Sequence, residues 1–195
     1  HEIGRQLEQI QYLFSFFQKT ENKREFPNVF RWTSRVTEPS ALVKSIRRIL
    51  DEKGDVRPDA SPQLLSISKS RDVEVLRLNR EFAKLISKYK NDGYLSDTPE
   101  SIRSGRRVLS VQGEHKRQIR GIIHDESTTG RTVFIEPEII VEINNNIIEL
   151  DAEFKKEVYR LLKELCAFLR PYKMEIEDIA RLIEHWDVVQ AIAAG

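Results

Sequence analysis

Two apolar seams, each stepping by three and four residues, constrain this chain more than any other feature. The first passes through Val75, Leu78, Phe82, Leu85 and Tyr89, inside an unbroken stretch from Pro62 to Asp92. The second passes through Ile143, Ile147, Leu150, Phe154, Val158, Leu161, Leu165 and Phe168, between Pro137 and Arg170. That spacing predicts two long helices with one buried stripe each. At 1.5 Å per residue the first would extend about 45 Å. Ser61 before Pro62 reads as a helix start, an N-cap hydroxyl followed by a proline whose missing amide hydrogen is not needed there, and Gly93 reads as a stop. The repeated step of four from Phe154 to Val158 is a stutter that locally unwinds a supercoil. Two helices of this kind bury their stripes best against one another, as an antiparallel pair.

Residues 98–137, between the seams, differ in character. Arg106 to Gln112, Arg117 to Glu126 and Thr132 to Glu136 are short β-branched runs separated by the turn-forming GEHK and STTGR. They predict a three-stranded antiparallel meander at the far tip of the helix pair. At the start of the chain, Ile3, Leu7, Ile10, Leu13 and Phe17 share one helical face. Residues 21–39 read as an ordered loop, broken by Pro27 and Pro39 and anchored by Phe26, Phe30 and Trp32. Helical spacing returns over residues 41–50, and a last helix carries Ile176, Ile179, Ile183 and Trp186 on one face. The expected fold class is therefore mainly α with a small antiparallel β-sheet (α+β), long helical levers carrying the sheet. The divisions are core helices and first lever over 1–97, the β-rich segment over 98–137, and the second lever with a return to the core over 138–195.

Charge is balanced overall, 32 Lys and Arg against 31 Asp and Glu, so no global field announces a polyanionic partner. Locally it is not balanced. Over residues 101–131 seven basic side chains (Arg103, Arg106, Arg107, Lys116, Arg117, Arg120, Arg131) stand against three acids, while over 132–165 eight acids stand against four bases. A basic sheet on an acidic stalk would meet a polyanion with its end and repel it along its side. The alternative is a solvated sheet whose arginines keep its edges from aggregating. A charged share of 32%, above the usual of about 25%, fits an elongated helical body. The single cysteine, Cys166, excludes a disulfide framework and reads as a small core residue in a reducing, cytoplasmic compartment. No run approaches the roughly 18 apolar residues of a membrane span. The absence of an initiator Met and the helical ending AIAAG read as a piece excised from something longer.

Catalytic motifs are lacking. There is no G-x-x-x-x-G-K-[ST], G-x-G-x-x-G or H-E-x-x-H. His124, Asp125, Glu126 and Ser127 could suggest a metal or hydrolase site, but neighbours on a strand point to opposite faces, and a strand end with its turn accounts for them. His115 and His185 read as surface or packing residues. No catalytic, cofactor or metal residue is assigned. Asn144, Asn145 and Asn146 sit oddly in a helix. Either one of them pairs with a buried polar group at the seam, or all three are tolerated at the surface.

The run DEKGDVRPDASPQL, then IRSGRRVLSV, then RGIIHDESTTGRTVFIEPEIIVEINNNIIELDAEFKKEV, resembles the central region of the anti-recombination branch of the MutS family, the MutS-two proteins. The resemblance covers about residues 51–169. It implies that residues 98–137 form a clamp over DNA and that the long helices are its levers, with the seven basic residues named above as backbone contacts. It further implies a parent protein that continues into a dimerising ATPase, which uses ATP and magnesium, and usually a nuclease module. Branched or structured DNA would be the partner rather than a mispair. An assembly lever touching stalled ribosomes, rRNA or its dimer mate is the alternative. Arg107 and His115 stand where the family commonly has aromatics, Ser110 where it has proline and Glu126 where it has glutamine.

Overall fold

The computed structural model describes the backbone of residues 2–194 and the side chains of residues 2–189. It forms two compact units, His1–Pro62 with Glu157–Gly195, and Gln63–Lys156. No helix among the described residues is long and apolar enough to cross a membrane.

In the first unit α1 (Glu2–Phe16) packs on α4 (Ser40–Ile49) and on the last helix, α7 (Lys173–Ala194). Most of the faces expected from periodicity are buried, with Leu7 and Ile10 meeting no solvent and Leu42, Ile46, Ile49 and Ile179 nearly none, but Ile3, assigned to the same face, is exposed near the start of α1. Residues 21–39 depart from the expected loop. They contain α2 (Thr20–Glu25) and α3 (Pro27–Thr33), because Pro27 occupies the first turn of α3, where no amide hydrogen is required, and so opens a helix. Phe30 of α3 lies 5.6 Å from the Phe17 ring, and Trp32 packs edge-on against His185 at 4.8 Å.

The second unit holds most of α5 (Pro62–Asn91), the strands β1 (Leu95–Arg103), β2 (Arg106–Gln112), β3 (Gly121–Glu126) and β4 (Thr132–Pro137), and the first half of α6 (Glu138–Leu169). Both long helices begin and end within a residue of the expected positions. The sheet corrects the expected strand count and path: it has four strands in the order β1-β2-β4-β3, all neighbours antiparallel. The strand not foreseen, β1, is polar and carries Pro99, which an edge strand tolerates because one side of it needs no ladder. Its signal was Ser104-Gly105. Both residues have positive φ, 50° and 75°, and form the two-residue turn whose twist matches a hairpin.

One face of the sheet packs Leu109, Val111, Val133 and Ile135 against Leu78 and Phe82 of α5 and Ile140 and Ile143 of α6. Ile119, in the β2–β3 connection, is buried in the same cluster and holds that crossing segment down. Within this unit the helices run antiparallel: Arg71 Nε donates to Asp151 at 2.5 Å, while the later residues Leu78 and Phe82 share a core with the earlier Ile143 and Ile140. Cys166 and Phe168, assigned above to the buried side of α6, are exposed; Leu161 and Leu165 carry the buried stripe there.

Asn144 joins helix to sheet. In the β2–β4 register Leu109 faces Ile135, so Arg107 would face Pro137, which has no amide hydrogen and ends the strand. The Asn144 side chain stands in for the missing ladder partner. Its Nδ2 donates to the Arg107 carbonyl at 3.2 Å and to Glu136 Oε1 at 2.8 Å, and its Oδ1 lies 3.5 Å from the Arg107 amide. Of the two readings of the asparagine triplet, the buried polar pairing is therefore the correct one for Asn144, which is 3% exposed. Asn144→Ala strips buried groups of their partners and should lower stability by about 2–3 kcal/mol, against less than about 1 kcal/mol for the exposed Asn145→Ala. Urea unfolding of both variants measures the difference, and equal losses would contradict the ladder role.

Candidate nucleic-acid interface

All seven basic residues singled out in the sequence belong to the second unit, but they divide into two groups. Arg103, Arg106, Arg107 and Lys116 are engaged within the chain. Arg103 lies over the Phe134 ring, 3.7 Å from its centroid, and its Nε donates to Asp125 at 3.2 Å. Arg106 donates to Glu136 at 2.8 Å and to Asn145 at 2.6 Å. Arg107 sits over Phe82 at 4.4 Å and donates to Glu100 at 2.8 Å and Asn79 at 2.7 Å. Lys116 reaches Glu126 at 3.2 Å. Each of these cations is neutralised by a neighbour, and the two stacked arginines are oriented by an aromatic ring as well.

Arg117, Arg120 and Arg131 are different. All three are exposed, and among the described residues their guanidinium groups make no ion pair or side-chain hydrogen bond. Arg117 and Arg120 belong to the connection before β3; Arg131 immediately precedes β4. Arg120 adjoins Gly121, which pairs with Pro137, whereas Arg131 adjoins Thr132, at the other end of the same strand pair. At about 3.3 Å per residue they stand roughly 20 Å apart along the sheet. Arg120 and Arg131 thus stand at opposite ends of the β3–β4 strand pair.

The carboxylate that holds Arg106 was not singled out in the sequence. Glu136, on the otherwise apolar run TVFIEP, is wholly buried. It takes hydrogen bonds from Arg106, Asn144 and His124, the last through Nε2 at 2.6 Å. Burial pushes this carboxyl up; the bonds from Asn144, His124 and Arg106 more than offset that push and hold it below the usual carboxylate range. A glutamate inside a buried strand needs such partners, and that is the signal by which it could have been found. The four residues from His124 to Ser127 do not converge. His124 bonds Glu136, Asp125 bonds Arg103, Glu126 bonds Lys116, and Ser127 Oγ accepts from the Thr132 amide at 3.0 Å. His115 packs against the Tyr94 ring at 4.7 Å. No cluster of three or more metal-ligating side chains occurs among the described residues.

No family model matches the chain. Among curated proteins it is 33% identical over 193 residues to a protein named Endonuclease MutS2 from Enterococcus faecalis, covering 98% of this chain and 24% of that protein. A protein of the same name from Lactococcus lactis subsp. lactis is 35% identical over 179 residues, 90% of this chain and 22% of its own length. Another, from Leuconostoc mesenteroides subsp. mesenteroides, is 36% identical over 152 residues, 78% and 19%. The chain belongs to the MutS-two family. It spans about a quarter of the length of the curated relatives it matches.

The buried carboxylates set an acid limit on this fold. In the first unit Glu157 is held down to about 2 by its hydrogen bonds from Arg160, against the push of burial, with Ser61 adding a further bond. Both Glu157 and Glu136 have lowered values in the folded chain, so their contribution is complete above the ordinary carboxylate range and is lost as pH falls through the lowered ones. Stability from urea titrations at stepped pH should fall steadily from about pH 4.5 towards pH 2. Glu157→Gln should be less stable than the parent at neutral pH and fall less over that window; a parallel decline would refute the assignment.

Proposed function

We propose that this segment is a non-catalytic, DNA-contacting part of a MutS-like recombination and repair protein, and that it holds the sugar–phosphate backbone through Arg117, Arg120 and Arg131. The observation that carries the reading is the set of three exposed guanidinium groups without an internal partner, on a chain whose relatives are named MutS2. A cation already paired with a carboxylate must break that pair to bind phosphate, so Arg103, Arg106, Arg107 and Lys116 contribute less and chiefly shape the sheet. Arginines on a sheet, with no helix presented to a groove, position a duplex without reading its bases. The acidic side chains of α6 repel the same backbone and confine contact to the sheet.

In this reading the segment turns over nothing itself. ATP and magnesium, nuclease chemistry and the pairing of two subunits belong to the longer protein, whose preferred DNA is branched or structured and whose work is suppression of homologous recombination. The same three arginines would also grip rRNA, so ribosomal RNA is the control that decides between the targets.

Affinity of the 195-residue chain for a branched duplex should fall with salt by about 0.9 log units per phosphate contact for each tenfold rise. Changing Arg117, Arg120 and Arg131 together to Ala should flatten that slope by about 2.7 and leave the circular dichroism unchanged. An unchanged slope would remove the three arginines from the interface. Tighter, equally salt-dependent binding of rRNA would move the target to the ribosome.

A further inference from the structure

Three rings stack at one end of the sheet, and the proposed backbone contacts make no use of them. Gly93, at a φ of 73°, ends α5, and the Tyr94 amide turns back to donate to the Tyr89 carbonyl at 3.0 Å. That reversal sets the two tyrosine rings face to face, with centroids 6.2 Å apart and planes 26° from parallel. His115 adds a third ring, 4.7 Å from Tyr94 and tilted by 31°. Both tyrosines are rooted against the core of the second unit. At the Tyr89 end of the column Lys88 lies over the ring, 5.1 Å from its centroid. At the other end His115 meets no second ring and no cation among the described residues, and its side chain is 31% exposed. Glu114 reaches its Nε2 at 3.4 Å, a contact at the edge of the ring that covers neither face.

Cations stand beside this open ring. Arg117 follows it by two residues. Arg131 is brought alongside by the fold: its carbonyl accepts from the Gly113 amide at 2.8 Å, and the segments approach so closely that a Cβ on Gly113 would lie 2.5 Å from the Gly130 carbonyl oxygen. Both guanidinium groups are exposed and lack an internal partner among the described residues. Lys88 and Lys90, exposed in the last turn of α5, form no ion pair there either. An aromatic ring with a bare face among exposed cations is the arrangement that holds single-stranded nucleic acid, the ring taking a base and the cations its phosphates. We infer that His115 is a stacking site for an unpaired base of DNA, received as the fourth ring of the column, with Arg117 and Arg131 holding the phosphates on either side of it. This role rests on the DNA-contact reading and narrows the substrate to DNA that carries unpaired bases. Every base has a π-face, so the site accepts any sequence. In a fully paired duplex each base is already stacked on its neighbours, and none is free to enter.

The test binds the 195-residue chain to two labelled DNA duplexes, one fully paired and one with a short bulge of unpaired nucleotides, and follows fluorescence anisotropy. The bulged duplex should bind about tenfold more tightly at the same salt. His115→Leu, which keeps apolar bulk without an aromatic ring, should abolish that preference and leave binding of the paired duplex unchanged. His115→Phe should retain it. A histidine that only packs on Tyr94 would alter both duplexes alike. Stacking releases no counterions, so the salt slope for the bulged duplex should be the same in His115→Leu as in the parent. A preference that survives His115→Leu overturns the stacking site, and a bulged RNA bound more tightly than the bulged DNA overturns its assignment to DNA. Equal binding of the two duplexes overturns the site but leaves the DNA-contact reading standing, whereas failure to bind either duplex removes both.

Discussion

A glutamate that water cannot reach organises the second unit. Placing the Glu136 carboxylate inside a strand of Val, Phe and Ile is unfavourable by itself, and the protein answers by aiming three donors at it. Each donor comes from a different element: Arg106 from β2, His124 from β3, Asn144 from α6. Meeting the needs of one buried charge therefore fixes two strands and a helix against β4 at once. Apolar packing of Leu109 on Ile135 could tolerate small slips; a carboxylate with three directional bonds cannot, which makes the polar cluster a specifier of register more than a source of net stability.

Ion pairs within the second unit, Arg106 on Glu136 among them, decide which positive charges remain for a partner. A tally of arginines makes residues 101–131 a basic patch, but the fold occupies four of the seven cations internally, on Glu136, Asp125, Glu100 and Glu126. Internal pairing and ligand binding compete for the same donors. The three arginines left over sit in connecting segments around β3 and β4, where the chain leaves the ladder, and among the described residues they form no ion pair. Loops held by a rigid sheet are where binding groups are ordinarily carried, and the functional reading rests on that residue of uncompensated charge.

Much of this was legible in advance, for identifiable reasons. The long helices were placed to within a residue because three-four periodicity persists over many turns and because Pro62, Gly93, Pro137 and Pro171 bound them. β2 was placed without error because RRVLSVQ is short, β-branched and bounded by turn chemistry. β1 was missed because an edge strand needs only one satisfied side and can look like a polar loop. The helices within residues 21–39 were missed because Pro27 was read as a breaker when its position in a first turn made it an opener. Phe168 was misplaced by extending the α6 stripe one turn too far, and Cys166 by taking the apolar run around it for core. The family resemblance was carried by residue runs that the comparisons with known proteins bear out, and it supplied what periodicity has no means of stating.

What local sequence determined here is whatever short-range sterics and burial periodicity can dictate: helix extent, helix faces, the β character of the middle segment and its surplus of basic residues. What only the tertiary structure decided is pairing across long separations. Arg106 and Arg107 lie next to each other in the chain and look equivalent, yet one ends on Glu136 and Asn145 and the other on Glu100, Asn79 and the Phe82 ring. Neighbours on a strand face opposite sides, so their partners depend on which elements the fold brings to each side. That choice is a property of the assembled sheet and helices, and no window of sequence contains it.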